Sequence, residues 1–276
     1  VTAPPFAYFG GKTRLAARIA GLLPPHEHYV EPYGGSLAVL LAKPRSRMET
    51  VNDLDGDLMT FWRVLREQPD ELAAACALTP HGRAEHQAAY DLEGAASDLE
   101  RARRVWVLLS QGRGGQMKPT GWRSYVDPAG SVTSMPGYLE GYVARIAPAA
   151  ARLAGVSLEC QPALDVIERY GRSSKVLLYV DPPYLGTTRV SGGYRHEMTS
   201  EAEHRKLAMA LFECRATVVL SGYDSDLYDE LYGGWTAIRI PATTGQGGTR
   251  EERTEVLWFN REPFAHLFSD HSEAAS

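Results

Sequence analysis

The sequence predicts an α/β fold: a mostly parallel, doubly wound sheet interrupted by an inserted, mainly helical segment. Three observations carry this. Short apolar runs alternate with segments of helical spacing over the first third of the chain. The same alternation returns after residue 150. Between about residues 69 and 149 helical stretches continue without intervening strands. The expected division is residues 1–68 and 150–276 as one α/β domain, with 69–149 inserted.

The elements follow in order. Phe9-Gly10-Gly11-Lys12-Thr13 is a glycine turn opening a helix near Arg14 and Leu15. His28-Tyr29-Val30 reads as a buried strand. After Gly34-Gly35, Ser36 is placed to cap a helix through Leu37, Val39, Leu40 and Leu41. Glu49-Thr50-Val51 is the second strand. Leu54, Leu58, Phe61, Trp62 and Leu65 have helical spacing. In the insertion, Leu99–Leu109 reads as a helix and Gln111 to Gly141 as a long Gly-rich stretch. Val176 to Val180 is an apolar strand ending in a Pro-Pro turn, and Thr217 to Ser221 is another. Trp235–Ile240 and Val256–Asn260 form a closing pair, separated by a polar loop from Thr243 to Arg253.

Composition excludes several classes. The net charge is −5, so any nucleic-acid surface must be local. The three cysteines, Cys76, Cys160 and Cys214, are scattered, which argues against a zinc cluster or a disulfide framework and for a reducing compartment. No apolar run reaches the roughly 18 residues of a membrane span. Val1 to Phe6 lacks the pattern of a signal peptide.

The strongest chemical signal is Asp181-Pro182-Pro183-Tyr184, directly after an apolar strand. In doubly wound sheets, ligands sit beyond the carboxyl ends of strands. A nucleobase amine is a poor nucleophile because its lone pair is delocalised into the ring. A carboxylate and a backbone carbonyl can hold both amine hydrogens while the nitrogen rehybridises. The prolines pre-aim these acceptors, and Tyr184 offers a face for an unstacked base. A plain strand-ending turn has the same composition.

Two further segments suit a cofactor. Glu31-Pro32-Tyr33-Gly34-Gly35-Ser36 is a strand–turn–helix junction, and Asp53 follows the next strand, where acids commonly meet ribose hydroxyls. Asp55 and Asp57 suit the start of a helix. A phosphate-binding loop is disfavoured, since the required first glycine is Phe6. From Arg101 to Val126 there are six cations and no acid. Arg101, Arg104, Arg113, Gln116, Lys118 and Arg123 are candidate DNA contacts, with Arg250 in the polar loop as a further one.

Taken in order, Phe9-Gly10-Gly11-Lys12, Glu31-Pro32-Tyr33-Gly34-Gly35, Asn52-Asp53 and Asp181-Pro182-Pro183-Tyr184 resemble the Dam-type N6-adenine DNA methyltransferases. Ser221-Gly222-Tyr223, Gly247-Gly248-Thr249-Arg250 and Glu255-Val256-Leu257-Trp258 extend the resemblance over nearly the whole chain. It implies a Rossmann-like methyltransferase domain and a target-recognition insertion. The cofactor implied is S-adenosyl-L-methionine, held by Tyr8, Phe9, Gly10, Gly11, Lys12, Glu31 to Ser36, Asp53 and Asp181. Asp181, Pro182, Pro183 and Tyr184 then hold the target adenine. Double-stranded DNA is the implied partner, with no metal and no membrane, for a cytoplasmic, bacterial or phage-encoded monomer or weak dimer. Relatives often carry an acid where this chain has Pro162; Asp165 is the nearby alternative. Ala7 replaces the lysine of GATC-specific relatives, so the resemblance does not extend to that site. A cytosine-C5 enzyme needs a Pro-Cys pair, which is absent, and a cytosine-N4 enzyme usually begins the tetrapeptide with Ser.

Overall fold

The central strands form where the sequence buries both faces. The computed structural model describes residues 2–127, 133–185, 195–246 and 249–262, apart from the side chains of 242–246 and 249–253. Among them one sheet has seven strands: β1 (His28–Glu31), β2 (Met48–Asn52), β3 (Ser157–Glu159), β4 (Val176–Val180), β5 (Thr217–Gly222), β6 (Thr236–Gln246) and β7 (Thr249–Phe259). Their spatial order is β3-β2-β1-β4-β5-β7-β6. The first five are parallel; β7 pairs antiparallel with both β5 and β6. All residues of β4 and β5 are buried, as expected for central strands covered on both sides. The chain belongs to the α/β class with a Rossmann-like sheet. The strand order reverses direction between β1 and β4, which are neighbours in register from His28↔Val176 to Val30↔Leu178. Ligands bind at such switch points.

Three local expectations change. Ser36 does not cap the following helix, α2 (Ala38–Ala42). The cap position is Leu37, in the left-handed region with φ 53°. The Glu31 carboxylate arrives from the end of β1 instead and accepts the Leu40 N–H at 2.9 Å. A strand-borne acid thus satisfies an orphan donor of the helix start. The helix after β2, α3 (Gly56–Glu67), starts later than its apolar spacing suggests: Leu54 is exposed, and Asp55 caps it by accepting from the Asp57 and Leu58 N–H groups. The polar loop 243–253 is no loop. β6 and β7 pair through it, from Thr236↔Phe259 to Gln246↔Thr249. Gly247 and Gly248 lie outside the described residues.

The segment 69–149 supplies α4 (Pro69–Leu78), α5 (Arg83–Ala88), α6 (Asp98–Gln111) and α7 (Met135–Val143), and α8 (Ile146–Leu153) follows. Trp106 and Leu109 of α6 share one apolar core with Phe61 and Leu65 of α3 and with Tyr29 and Val51 of the sheet. The indole N–H of Trp106 donates to the Pro5 carbonyl at 2.9 Å, tying α6 to the start of the chain. After α6 the chain closes a loop. Arg113 N–H donates to the Gly121 carbonyl at 2.9 Å and Arg123 N–H to that of Gln111 at 2.8 Å. An isolated antiparallel bridge joins Gly112 and Trp122 between them. On the far side of the sheet, α9 (Ala163–Gly171), α10 (Glu201–Phe212) and α11 (Asp226–Tyr232) cover β4 and β5. No helix of the described residues is long and apolar enough to cross a membrane.

Candidate active site

At the carboxyl ends of β1 and β4 lies a cavity of about 420 Å³. Every residue expected to hold the cofactor, from Tyr8 to Ser36 with Asp53 and Asp181, lines it. Its shape depends on glycines. A Cβ on Gly34 would stand 2.9 Å from the Asn52 carbonyl, and one on Gly11 2.9 Å from that of Tyr8. Gly35, with φ +49°, presses against the Tyr8 ring. Its carbonyl accepts from the Trp62 indole at 3.0 Å, and its N–H donates to Asp53 at 2.8 Å. Asp53 also accepts the Asp55 N–H at 2.9 Å, so one carboxylate joins the loops after β1 and β2.

Asn52 is a further organiser of this wall. Its amide donates to the Pro32 carbonyl at 2.9 Å and the Gln161 carbonyl at 3.0 Å, and accepts the Gln161 N–H at 2.8 Å. The next residues, Pro162, Ala163 and Leu164, line the cavity with apolar surface; Asp165 is not among its lining residues. The loop after α6 supplies another wall. Phe9 N–H donates to the Gly115 carbonyl at 2.8 Å. Gly115, Gln116 and Met117 line the cavity. Gln116, expected at DNA, therefore stands beside the cofactor residues.

The reactive end is a buried polar cluster. Lys12 Nζ donates to Asp181 Oδ1 at 2.8 Å, to the Gly10 carbonyl at 3.1 Å and to the Tyr184 hydroxyl. Tyr184 in turn donates to Glu255 Oε1 at 2.6 Å, while its oxygen is 3.1 Å from Asp181 Oδ1. The Ser221 hydroxyl donates to the same Glu255 oxygen at 2.7 Å. Glu255 lies 3.7 Å from the ammonium. Burial, and then Glu255, push the Asp181 carboxyl up to about 6 against the opposing pull of Lys12. Burial pushes Glu31 up to about 7, opposed by hydrogen bonds from Tyr29 and Leu40. The Tyr184 ring packs edge-on to Tyr223, with centroids 4.5 Å apart. Glu255, Ser221 and Tyr223 were quoted in the sequence only as parts of motifs. The sequence signal for Glu255 is an acid directly abutting the apolar run Val256–Phe259, because a buried carboxylate requires partners.

The cationic stretch is less free than its lack of acids suggests. Arg101 pairs with Asp57 at 3.0 Å, and Arg104 with Glu100 at 2.7 Å and with the Asp91 carbonyl. Arg103 pairs with Glu85 and Glu100. These acids lie outside the acid-free window and fold back onto it. Lys118 is 3.7 Å from Glu197. Arg123 stacks on the Tyr138 and Tyr125 rings. Arg113 is exposed on the loop after α6. The Arg250 side chain lies outside the described residues.

The family model of the D12 class N6 adenine-specific DNA methyltransferases matches residues 8–93 and 143–245. The chain belongs to this family. It is a site-specific DNA adenine N6 methyltransferase. The D12 match omits residues 94–142, which carry α6 and the loop lining the cavity. Over 283 residues the chain is 25% identical to the Type II methyltransferase M1.LlaDCHI of Lactococcus lactis subsp. cremoris, covering 91% of this chain and 93% of the relative. It is 26% identical over 261 residues to the DNA adenine methylase of Salmonella typhimurium, covering 90% and 91%.

Proposed function

We propose that the cavity binds S-adenosyl-L-methionine and that an adenine turned out of duplex DNA meets it at Asp181. The donor set fits that cofactor. A glycine floor admits a ligand close to backbone, Asp53 stands where ribose hydroxyls are met, and Pro162 to Leu164 offer an apolar wall. Bound there, S-adenosyl-L-methionine supplies a methyl group on a sulfonium, whose carbon–sulfur electron pair returns to sulfur as the carbon–N6 bond forms.

The residues do the rest. Asp181 and the Pro182 carbonyl accept the two amine hydrogens, which localises the nitrogen lone pair. The carboxylate, pushed up to about 6, also suits it to help remove the proton that N6 loses. The Pro-Pro turn fixes the acceptors; the Tyr184 ring, buried with Lys12 Nζ 4.7 Å from its centroid and Tyr223 packed edge-on, must be uncovered before it can stack on the base. Residues 69–149 act in target recognition. Its DNA-facing cations are Arg113 and Arg123 on the loop after α6, with Lys118, whose ion pair with Glu197 is longer at 3.7 Å, rather than Arg101 and Arg104, whose short internal ion pairs a phosphate would have to break. Arg250 of the β6–β7 hairpin is assigned to DNA from its place in the sequence alone.

The observation that carries this reading is the placement of Asp181 beside the cofactor-type cavity at the β1–β4 switch point. Asp181→Ala is the test. Methyl transfer to DNA should fall by at least about a hundredfold, while S-adenosyl-L-methionine still raises the melting temperature. Glu255 remains to balance Lys12, so the variant keeps its charge partner. Full activity in this variant overturns the proposal.

A further inference from the structure

The hydrogens around Lys12 can be counted. An ammonium has three, and among the described residues it donates to the Gly10 carbonyl, Asp181 Oδ1 and the Tyr184 hydroxyl oxygen. Tyr184 has a single hydrogen and two carboxylates within reach, Glu255 at 2.6 Å and Asp181 at 3.1 Å. The shorter contact takes it. Ser221 gives its own hydrogen to the same Glu255 oxygen. Glu255 is therefore the sink for both hydroxyls, and the Tyr184 oxygen is left to accept from Lys12. Both contacts to Asp181, Lys12 Nζ and the Tyr184 oxygen, fall on Oδ1.

We propose that Glu255 is a positioning residue for methyl transfer: it draws the Tyr184 hydrogen away from Asp181, so that Asp181 keeps its strength as acceptor for the adenine amine. This rests on the role given to Asp181 above. Without the Glu255 carboxylate the Tyr184 hydroxyl turns to Asp181, and a repulsive neighbour is lost as well. Both changes stabilise the Asp181 carboxylate and weaken it as an acceptor. Glu255 is not among the residues lining the cavity; it contacts Tyr184, Ser221 and Lys12 and bears on Asp181 through its charge.

The test compares Glu255→Gln with the wild type in steady-state methylation of DNA from pH 5 to 9. In Glu255→Gln, kcat should fall on the order of tenfold and the acidic limb of the kcat profile should move down by about one pH unit. KM for DNA and for S-adenosyl-L-methionine should stay within about twofold. Adding Tyr184→Phe to Glu255→Gln removes the hydrogen that reaches Asp181, and should bring the limb part of the way back. An unmoved limb in Glu255→Gln, or a double variant identical to it, overturns the proposal. Should Glu255→Gln not fold, Glu255→Asp keeps the buried charge but withdraws it from Tyr184, and its limb is read in the same way. Activity in Asp181→Ala would instead sink the underlying reading, so the two failures are distinguishable.

Discussion

Glu31 shows how one residue can serve both fold and site. Its carboxylate accepts from Tyr29 and Leu40 while lining the cavity. Burial holds it protonated up to about pH 7, far above the unfolded range. The folded state thus binds more protons than the unfolded state between about pH 4.5 and 7, and stability contributed there falls as pH rises. Glu31→Gln preserves the shape and cannot titrate. Its unfolding free energy should lose this slope, gaining up to about 3 kcal/mol relative to the wild type between pH 5 and 8. Denaturant melts at the two pH values check it; parallel slopes in both proteins contradict the assignment. Asp181, pushed the same way to about 6, adds a smaller slope of the same sign. Residues such as Lys12 and Asp181 were legible in the sequence because they sit in local motifs. Glu255 was not, because its partners Tyr184 and Ser221 are remote in the chain and only the sheet brings them together.

Helix and strand positions were legible where burial imposes a pattern. β4 matches its apolar run residue for residue, β1 and β5 are one residue longer at one end, and β2 is one residue longer at each end. Where burial imposes none, the reading failed. The outer half of the β6–β7 hairpin is polar and glycine-containing, so its pairing leaves no periodic trace. Caps supplied from afar are equally silent: Glu31 reaches α2 from a strand, whereas Ser36 was the local candidate. The α3 cap, by contrast, is local. Asp55→Ala removes acceptors for two N–H groups. It should cost about 1 kcal/mol, seen as a lower melting temperature with the α3 core unchanged. A melting temperature equal to that of the wild type would show that Asp55 is no cap. The ion pairs of α6 teach the converse lesson. Charge counted along a sequence window says little when Asp57, Glu85 and Asp91 fold onto it.

Across the molecule, the loop after α6 links two surfaces. Gly115 to Met117 face the cavity while Arg113 is exposed on the same loop. A DNA phosphate bound outside and a cofactor bound inside would therefore meet through one short piece of backbone. Arg113→Ala should weaken DNA binding alike for all sequences and reduce the salt slope of log K by about one. Titrations of labelled duplex at several salt concentrations measure it; an unchanged slope removes Arg113 from the interface. Arg104→Ala should leave that slope in place, since its charge is already spent on Glu100.

The sheet order has a consequence for how the enzyme is made. Lys12 belongs to the glycine turn near the start of the described chain, Asp181 to the turn after the fourth strand and Glu255 to the seventh strand, which inserts between β5 and β6. During synthesis, the ribosome delivers the cofactor walls and the Asp-Pro-Pro-Tyr turn well before the strand that completes the charge cluster. Until β7 pairs with β5, Lys12 and Asp181 have no second carboxylate beside them.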